Sequence, residues 1–577
     1  MAATTSSPFT PLQRFLRLLS VDSREIGYLY IYSIFNGLIN LSLPLGIQAI
    51  IGIIAGGQIS ASWNMLVIIV TVGIIISGGL QIMQLAISEI LQQRIFVKAS
   101  LEFAYRIPRL RLETLDKQYL PELMNRFFDT LSLQKGLSKV LLDFSASALQ
   151  IIFGLIVISF YHPFFIFFSV MVLGALMLLL YVIAPQGLQT SLKESSYKYE
   201  VAHWLEEVAR TLNTFKLHGD SRLPMDNTDA IVVKYLQARK KHFGILMLQY
   251  AGAIGFKTII TAGLLVLGSL LVINNQINIG QFVASEIIII LIMNSAEKLV
   301  LSMEVIYDVL TAVEKLAIVT DLPLENNDGI DFNKVDTGKG ITLQVNNLSY
   351  RYPHAENYIL KNLNFNIASG ERICISGYNN SGKSTLSQVL ASLYTHYEGT
   401  VTYNGVPVKN LNTASLRTKI GDYCPQEEIF MGSILDNITM GNTQTDMKQV
   451  IATAEIFGLA DFVKNLPEGY LTHITPEGRT LPKSVVKKII LTRSVITQPR
   501  LLIMENPTEE LEAAEQTRIL QYLIHPQHNW TLVLVSNSAK IAEVCQRIIV
   551  MKNGEIIDTS TYSNAQQKPY FYEVFQS

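Results

Sequence analysis

Residues 377–385 read Gly377-Tyr378-Asn379-Asn380-Ser381-Gly382-Lys383-Ser384-Thr385, which fits the phosphate-loop pattern G-x-x-x-x-G-K-[ST]. Glycines let the backbone curl so that several N–H groups point at one anion, and the next helix adds its positive dipole end. An apolar stretch precedes the loop, and leucine and valine follow it at helical spacing, which disfavours a chance match in a Gly/Ser-rich loop. We therefore expect Lys383 to reach the β- and γ-phosphates of a nucleoside triphosphate and Ser384 to bind Mg²⁺.

The composition divides the chain in two. Its 577 residues are too many for a single core, 49% of them are apolar and only 16% are charged, and the apolar excess lies before about residue 310. A net charge of −1 provides no global basic field, so nucleic acid is not an expected partner. We expect a membrane domain followed by a polar, nucleotide-binding one.

Six stretches are long and apolar enough to cross a bilayer as helices. They lie near residues 28–55, 65–88, 140–160, 164–184, 251–273 and 282–303. Arginines and lysines occur before the first stretch, after the second and after the fourth, whereas the loops near 56–63, 161–163 and 274–280 carry none. The positive-inside rule then places both termini and the two long loops in the cytosol.

Several ionisable residues fall within the predicted spans, where a charge is costly. Lys257 lies in the fifth span and Glu286 in the sixth. These two either pair across helices or line a polar cavity, and a structural pair is as compatible with the sequence as a transport role. Glu297 and Lys298 are expected near the cytosolic end of the sixth span, and Asp143 at the start of the third.

The second half contains further stretches at characteristic spacing. In order, they are Ser349-Tyr350-Arg351-Tyr352-Pro353, the phosphate loop, Tyr423-Cys424-Pro425-Gln426 and the apolar Leu501–Met504. This arrangement resembles an ABC transporter ATPase. Six spans before one such domain resemble an exporter-type half-transporter, similar to bacterial type I secretion ATPases but without their extra N-terminal peptidase-like domain. The resemblance implies an all-α transmembrane domain at 1–320, a linker at 321–340 and an α/β P-loop ATPase domain at 341–577.

The resemblance also implies roles for the matching residues. Tyr352 would stack on adenine, and Gln426 would lie on the loop that links ATP and Mg²⁺ to the membrane domain. Glu505 would hold Mg²⁺ together with Ser384 and Gln426. The implied ATP-binding set is Tyr352, Gly377, Asn379, Asn380, Ser381, Gly382, Lys383, Ser384 and Thr385, with Leu481, Pro482, Lys483, Ser484 and Val485 of the signature.

Three parts of the sequence depart from the family pattern. Residues 481–485 replace the signature Leu-Ser-Gly-Gly-Gln, and Pro482 brings neither a hydroxyl nor an N–H. Asn506 stands where the general base is expected, and an amide cannot accept the proton of the attacking water. Asn537 replaces a switch histidine and cannot titrate. We expect ATP binding near normal and weak hydrolysis, because loss of a general base costs ~10²–10⁴-fold in rate, unless another group positions the water.

Two functions agree with this pattern. In the first, the chain is an ATP-dependent exporter subunit that dimerises, with each ATP held between the phosphate loop of one subunit and the signature of the other. In the second, ATP occupancy of a membrane protein gates or regulates a partner without sustained turnover. We expect a homodimer, because pairing this chain with a standard partner would leave both ATP sites defective, and two-fold symmetry is the common default. The exported substrate is not readable from the sequence, the expected location is the bacterial inner membrane, and a periplasmic adaptor is suggested only by analogy.

Overall fold

The structure is a computed structural model and describes residues 9–55, 61–116, 119–325, 327–423 and 429–575. The chain forms two compact units. The first comprises Met1–Pro108 and Tyr119–Leu322, and the second comprises Arg109–Gln118 and Pro323–Ser577. Each unit is built from residues that are distant in sequence.

The described residues of the first unit form helices joined by short turns and loops. Its helices are α1 (Pro11–Val21), α2 (Ser23–Asn40), α3 (Ser42–Ala55), α4 (Ala61–Arg106), α5 (Leu120–Met124), α6 (Asp129–Lys139), α7 (Ser145–Ser159), α8 (Pro163–Arg210), α9 (Leu212–Leu217), α10 (Leu223–Ile273) and α11 (Ile279–Thr320). A 3₁₀ turn, Asn125–Phe128, follows α5, and a π-helical turn, Val140–Phe144, precedes α7. Six helical runs within the described residues are long and apolar enough to cross a membrane, which confirms the predicted six-span domain.

Two of the connections that lack basic residues, those before α8 and α11, end in helix caps. Before α8, the His162 side chain accepts a hydrogen bond from the Phe164 N–H at 3.2 Å, and Pro163 occupies the first helical position, which suits its fixed φ. Before α11, Asn278 and Gln281 form a capping box, each side chain accepting from the other's backbone N–H at 2.7 and 2.9 Å. These caps satisfy N–H groups that a helix leaves unpaired at its start.

Lys257 and Glu286 are expected either to pair across helices or to line a polar cavity, and the predicted pair is wrong. Lys257 Nζ lies 2.9 Å from Glu297 Oε2, whereas Glu286 Oε1 is buried without a hydrogen-bond partner among the described residues. Glu286 and Glu297 share one face of α11 but are separated by about 16 Å along it, at ~1.5 Å per residue. Lys257 therefore pairs with Glu297, which lies about three helical turns after Glu286 in α11. Lys298 Nζ lies 2.8 Å from Asp143 Oδ1, which the π-helical turn presents.

The second unit is α/β. Its strands are β1 (Leu343–Tyr350), β2 (Leu360–Ile367), β3 (Arg372–Gly377), β4 (Glu398–Tyr403), β5 (Val406–Pro407), β6 (Ile420–Tyr423), β7 (Gly432–Ser433), β8 (His473–Ile474), β9 (Leu501–Glu505), β10 (Thr531–Val535), β11 (Arg547–Lys552) and β12 (Glu555–Ser560). Its helices are α12 (Lys383–Leu390), α13 (Thr413–Arg417), α14 (Ile434–Thr439), α15 (Met447–Ile456), α16 (Ala460–Lys464), α17 (Lys483–Ile496), α18 (Ala513–Leu523), α19 (Ala539–Glu543), α20 (Tyr562–Ala565) and α21 (Phe571–Val574). The predicted α/β class is confirmed.

A six-stranded sheet of order β12-β11-β3-β10-β9-β6 forms the centre of this unit. All its neighbours run parallel except β12, which pairs antiparallel with β11. Strands β3, β9 and β10 are buried along nearly their whole length, as their continuous apolar sequences require. Because β3, β10 and β9 are parallel neighbours, their carboxyl ends share one edge of the sheet, where ligands of such folds commonly bind.

Residues 109–116 belong to the second unit although they lie between two predicted spans. Glu113 is buried, and its Oε1 accepts hydrogen bonds from the backbone N–H groups of Thr395 at 2.6 Å and His396 at 3.2 Å. The predicted linker, 321–340, includes Phe332, which is fully buried in the core of the same unit. Both stretches are thus tied to the α/β fold by specific contacts.

Candidate nucleotide-binding site

The phosphate loop connects β3 to α12 and depends on two glycines. Gly377 has φ +151° and Gly382 has φ +92°. A Cβ on Gly377 would collide with the carbonyl oxygen of Met551, and one on Gly382 would lie 2.8 Å from Leu360 Cδ2. Asn380 also has a positive φ, +58°, a conformation that asparagine tolerates better than most residues. The loop therefore has the curled backbone that the sequence predicts.

Lys383 is the first residue of α12 and folds back over the loop. Its Nζ donates to the carbonyl oxygens of Gly377 at 2.9 Å and Tyr378 at 2.8 Å. Burial lowers the pKa of Lys383, an effect that the Glu505 carboxylate opposes. The Ser381 hydroxyl is buried and has no hydrogen-bond partner among the described residues. A half-buried cation and an unpaired donor beside a glycine cradle fit the phosphates of a nucleotide.

Ser384 and Glu505, both predicted Mg²⁺ ligands, lie in direct contact. Ser384 Oγ donates to Glu505 Oε1 at 2.6 Å. Glu505 is the last residue of β9, so the sheet brings it to the start of α12 from a position 121 residues away. A hydroxyl and a carboxylate are the oxygen ligands that Mg²⁺ prefers, and the pair fits this ion.

Asn537 and Asn506 follow β10 and β9 at the same edge of the sheet. Asn537 Nδ2 donates to the Gly377 carbonyl at 3.0 Å, and its Oδ1 accepts from the Gly377 N–H at 3.1 Å. Asn506 has φ +47°, and its backbone N–H donates to the Val535 carbonyl at 3.0 Å. The two predicted catalytic positions thus adjoin the strands that carry the phosphate loop and Glu505, but neither amide titrates.

Tyr352, the predicted adenine-stacking residue, lies beside the phosphate loop within a cluster of tyrosines. Its hydroxyl is 3.2 Å from Thr385 Oγ1, and its ring centroid is 5.8 Å from that of Tyr394. Tyr394 stacks on Tyr350 at 5.2 Å, and burial raises the pKa of its hydroxyl. Sequence reasoning missed Tyr394, because nothing local relates it to a residue 42 positions earlier.

A cleft of about 940 Å³ lies beside this cluster among the described residues. It is lined by Tyr352 and Ser384 on one side and by Leu112 and Asp116 of the 109–116 segment on another. The segment therefore borders the same cavity as two predicted nucleotide-binding residues. No motif in the sequence indicated this proximity.

The signature position, residues 481–485, forms the start of α17. Pro482 is the N-cap and cannot supply a capping side chain, and Val485 N–H donates to its carbonyl at 2.9 Å. Pro482 and Lys483 are exposed, whereas Val485 is buried. Within the described part of the chain, no hydrogen bond or ion pair joins 481–485 to the phosphate loop. The structure does not bring these two predicted parts of the site together in one chain.

Two further lysines of α17, also missed from the sequence, anchor the stretch that follows β9. Lys487 Nζ donates to the Glu509 carbonyl, and burial lowers the pKa of Lys487. Lys488 Nζ lies 2.6 Å from Glu515 Oε1. The signal in the sequence was their position four and five residues after Lys483, which places them about one helical turn further along α17. Gln426 lies outside the described residues, and the described part of the chain contains no cluster of three or more His, Cys, Asp or Glu residues arranged to hold a metal.

Two family models match the chain. The one described as "ABC transporter transmembrane region" matches residues 26–296, and the one described as "ABC transporter" matches residues 360–509. The chain belongs to the ABC transporters. It is an integral membrane protein that joins the transmembrane region and the ATPase domain of this family in one polypeptide, as the resemblance predicted.

Several known ABC transporters align over much of the chain. The alpha-hemolysin translocation ATP-binding protein of Escherichia coli O157:H7 is 27% identical over 368 residues, 63% of this chain and 51% of that protein. The lactococcin-G-processing and transport ATP-binding protein of Lactococcus lactis subsp. lactis is 23% identical over 494 residues, 83% of this chain and 68% of that protein. The chain thus spans about half the length of the first of these relatives.

A solved structure, that of a bacterial Atm1-family ABC exporter with ATP bound, resembles the whole chain. The TM-score is 0.84 at 17% sequence identity, and the match covers 96% of this chain and 97% of the other. This likeness establishes the exporter fold.

Proposed function

We propose that this ABC transporter is one half of an ATP-dependent exporter. The observation that carries the proposal is the formed phosphate loop with its Ser384–Glu505 contact, in a chain that also holds six membrane-spanning helices. The names of the two relatives refer to alpha-hemolysin translocation and to lactococcin-G processing and transport, which supports a transport role. The proposed location is the bacterial inner membrane, with the ATPase domain in the cytosol.

The residues at the sheet edge have separate roles in this proposal. ATP, when bound, supplies the phosphoryl chemistry. Lys383 holds the β- and γ-phosphates, Ser384 and Glu505 hold Mg²⁺, and Tyr352 offers its ring to the adenine. The support for these roles is the geometry of the loop and the Ser381 hydroxyl, which is buried without a hydrogen-bond partner among the described residues. Gln426 is proposed as a further Mg²⁺-side residue on the family pattern alone.

Hydrolysis is proposed to be slow. Asn506 cannot accept a proton from water, and both polar atoms of the Asn537 side chain are already bonded to Gly377. Replacement of a general base by an amide costs ~10²–10⁴-fold in rate. Turnover then depends on positioning and charge stabilisation, which supply much of phosphoryl-transfer catalysis.

The proposed assembly is a homodimer. Within the part of the chain that the structure describes, residues 481–485 make no hydrogen bond or ion pair to the phosphate loop, which supports completion of each ATP site by a second copy. A closed two-fold arrangement is the commonest solution for such assemblies. A periplasmic adaptor is proposed by analogy with type I secretion systems.

A second candidate is an ATP-binding regulator without sustained turnover. The observation that favours this candidate is the presence of two amides, Asn506 and Asn537, at the carboxyl edge of the sheet, together with the exposed Pro482. Continued phosphate release by purified protein in lipid would favour the exporter, and release that stops after one turnover would favour the regulator.

Nucleotide affinity tests the proposal. The full-length chain in lipid nanodiscs is compared with Lys383→Ala and with Lys409→Ala, which removes an exposed lysine elsewhere in the same unit. Lys383→Ala should weaken ATP binding at least about tenfold, because hydrogen bonds to a charged group contribute about 1.5–3 kcal/mol. Lys409→Ala should bind as the natural protein does. Equal affinity of all three proteins would refute the assignment.

A further inference from the structure

One face of α11 is exposed along most of the helix. Its partly or fully exposed residues recur every three or four positions, as one helical face requires. They are Glu286, Ile290, Asn294, Glu297, Lys298, Leu301, Glu304 and Asp308. We call this set the open face of α11.

The opposite face of α11 is fixed in the core of the first unit. Ile288, Ile292 and Met293 are at most 1% exposed. They pack in one cluster with Ile151 and Leu155 of α7. Rotation of α11 about its axis would expose these side chains, so the open face is determined by packing.

The open face is polar where a face in contact with lipid is apolar. On α10, outward positions such as Ile259 (71% exposed) and Val266 (61% exposed) are apolar, and Phe167 on α8 is 69% exposed. Ionisable residues within spans almost always face a bundle interior or a water-filled cavity. The open face of α11 is therefore better suited to water than to acyl chains.

Two lysines in the spanning part of this region, Lys257 and Lys298, are already paired. Lys257 lies 2.9 Å from Glu297 Oε2, and Lys298 lies 2.8 Å from Asp143 Oδ1. In these pairs the two lysines neutralise the carboxylates of Glu297 and Asp143. They also lie about 16–18 residues from the outer helix ends, close to the inner limit of a bilayer core of ~30 Å.

Three carboxylates of the open face have no such partner. Glu286, Glu304 and Asp308 make no hydrogen bond or ion pair within the described residues. The cations that act on Asp308 at longer range are Arg239 and Lys198. These two are themselves paired, Arg239 with Glu194 at 3.2 Å and Lys198 with Asp129 at 3.7 Å. The open face therefore carries carboxylates without a paired cation from Glu286 to Asp308.

We propose that the open face of α11 lines a water-filled path and that the exported substrate is positively charged. Two copies of this face would repel each other in direct contact, so a second copy of the chain does not cover it. A cationic group, such as an amine or guanidinium, complements it. This inference rests on the proposed transport function and assigns the class of substrate.

Thiol labelling tests the proposal without knowledge of the substrate. Cysteine is introduced singly at Ile290 and at Leu301, each one turn from a carboxylate, in full-length Cys424→Ala protein in nanodiscs. The probes are methanethiosulfonate reagents with a trimethylammonium or a sulfonate head group. Ile259→Cys, on the exposed apolar face of α10, is the matched control, because a thiol in lipid stays un-ionised and reacts slowly.

Both open-face thiols should react, and the ratio of cationic to anionic rates should exceed that of a free thiol at least about fivefold. Glu286→Gln should lower the ratio at Ile290→Cys, and Glu304→Gln should lower it at Leu301→Cys, by up to about fivefold each. Glu555→Gln, which removes an exposed carboxylate from β12, should change neither. Unreactive thiols, or a ratio equal to that of the free thiol, would overturn the proposal. ATP affinity measured on the same samples separates this failure from failure of the transport function.

Discussion

The starts of α12 and α17 are two helix N-termini in the same unit with different construction. The chain enters α12 through Gly382 at φ +92°, and Lys383 turns back onto two loop carbonyls. It enters α17 through Pro482, and Lys483 is exposed without a hydrogen bond in the described structure. The first has the backbone form of a phosphate-binding loop, and the second presents a proline and an exposed lysine.

This difference shows which part of the ATPase domain is constrained by the fold. Side chains on Gly377 or Gly382 would collide with β11 or with Leu360, so the packing of the sheet itself requires glycine there. Pro482 and Lys483 contact solvent, and substitutions there disturb no core. Packing thus fixes the two loop glycines, whereas it leaves the exposed Pro482 and Lys483 free to change.

The largest effect is expected from restoring the base at Asn506. Asn506→Glu should raise ATP turnover about 100-fold, because a positioned base contributes ~10²–10⁴-fold. Asn506→Gln, whose side chain has the length of glutamate but a neutral amide that cannot act as a base, should leave ATP turnover unchanged. The left-handed φ of +47° should cost glutamate about 1 kcal/mol of stability. Phosphate release in lipid measures the rate, and equal rates for both variants would show that other positions limit turnover.

A smaller effect is expected at the Mg²⁺ contact. Ser384→Ala should weaken Mg²⁺-dependent ATP binding about 30-fold, because it removes a hydroxyl that contacts Glu505 at 2.6 Å. Ser387→Ala, one turn later in α12, also removes a buried hydroxyl and should leave the Mg²⁺ dependence unchanged. Titration of ATP with and without Mg²⁺ distinguishes them. A natural Mg²⁺ response in Ser384→Ala would remove this serine from the site.

Two lysines of α17 should contribute differently to stability, because Lys487 makes a hydrogen bond and Lys483 is exposed. Lys487→Ala should lower stability by about 1 kcal/mol, since it breaks the bond from a half-buried ammonium to the Glu509 carbonyl. The thermal midpoint of unfolding should fall by roughly 2–4 °C. Lys483→Ala should stay within about 0.5 kcal/mol of the natural protein. A reversed order in intrinsic-fluorescence melts would contradict the contacts described for this helix.

The smallest effect is expected at Pro482. Pro482→Ser restores a hydroxyl and an N–H at the N-cap. In the Asn506→Glu background it should raise ATP turnover about threefold, because a weak hydrogen bond contributes a factor of this size. Pro476→Ser changes an exposed proline earlier in the same connection and should have no effect. If both substitutions act alike, the start of α17 does not take part in turnover.

Local patterns in the sequence were sufficient for the phosphate loop, the two fold classes and the six spans. A loop pattern with fixed spacing and ~20-residue apolar stretches each carry their signal within a short window. The approach of Ser384 to Glu505 was also predictable, but only through the family resemblance.

Contacts between distant residues were not predictable in this way. Lys257 selects Glu297 over Glu286 because of helix register, which an apolar pattern leaves undetermined. The buried Glu113 and its bonds to the 395–396 backbone depend on the three-dimensional path of a segment between two spans. The left-handed backbone of Asn506 is a property of the turn after β9, and seven of the eleven described non-glycine residues with positive φ are asparagines.

We propose that this ABC transporter binds ATP well and hydrolyses it slowly. Mg²⁺-ATP binding and steady-state phosphate release, measured on one preparation of the full-length natural protein in lipid, test it most directly. We expect saturable ATP binding with turnover below about 1 s⁻¹, under the usual range for enzymes. Turnover of tens per second with Asn506 in place, or the absence of saturable binding, would contradict it.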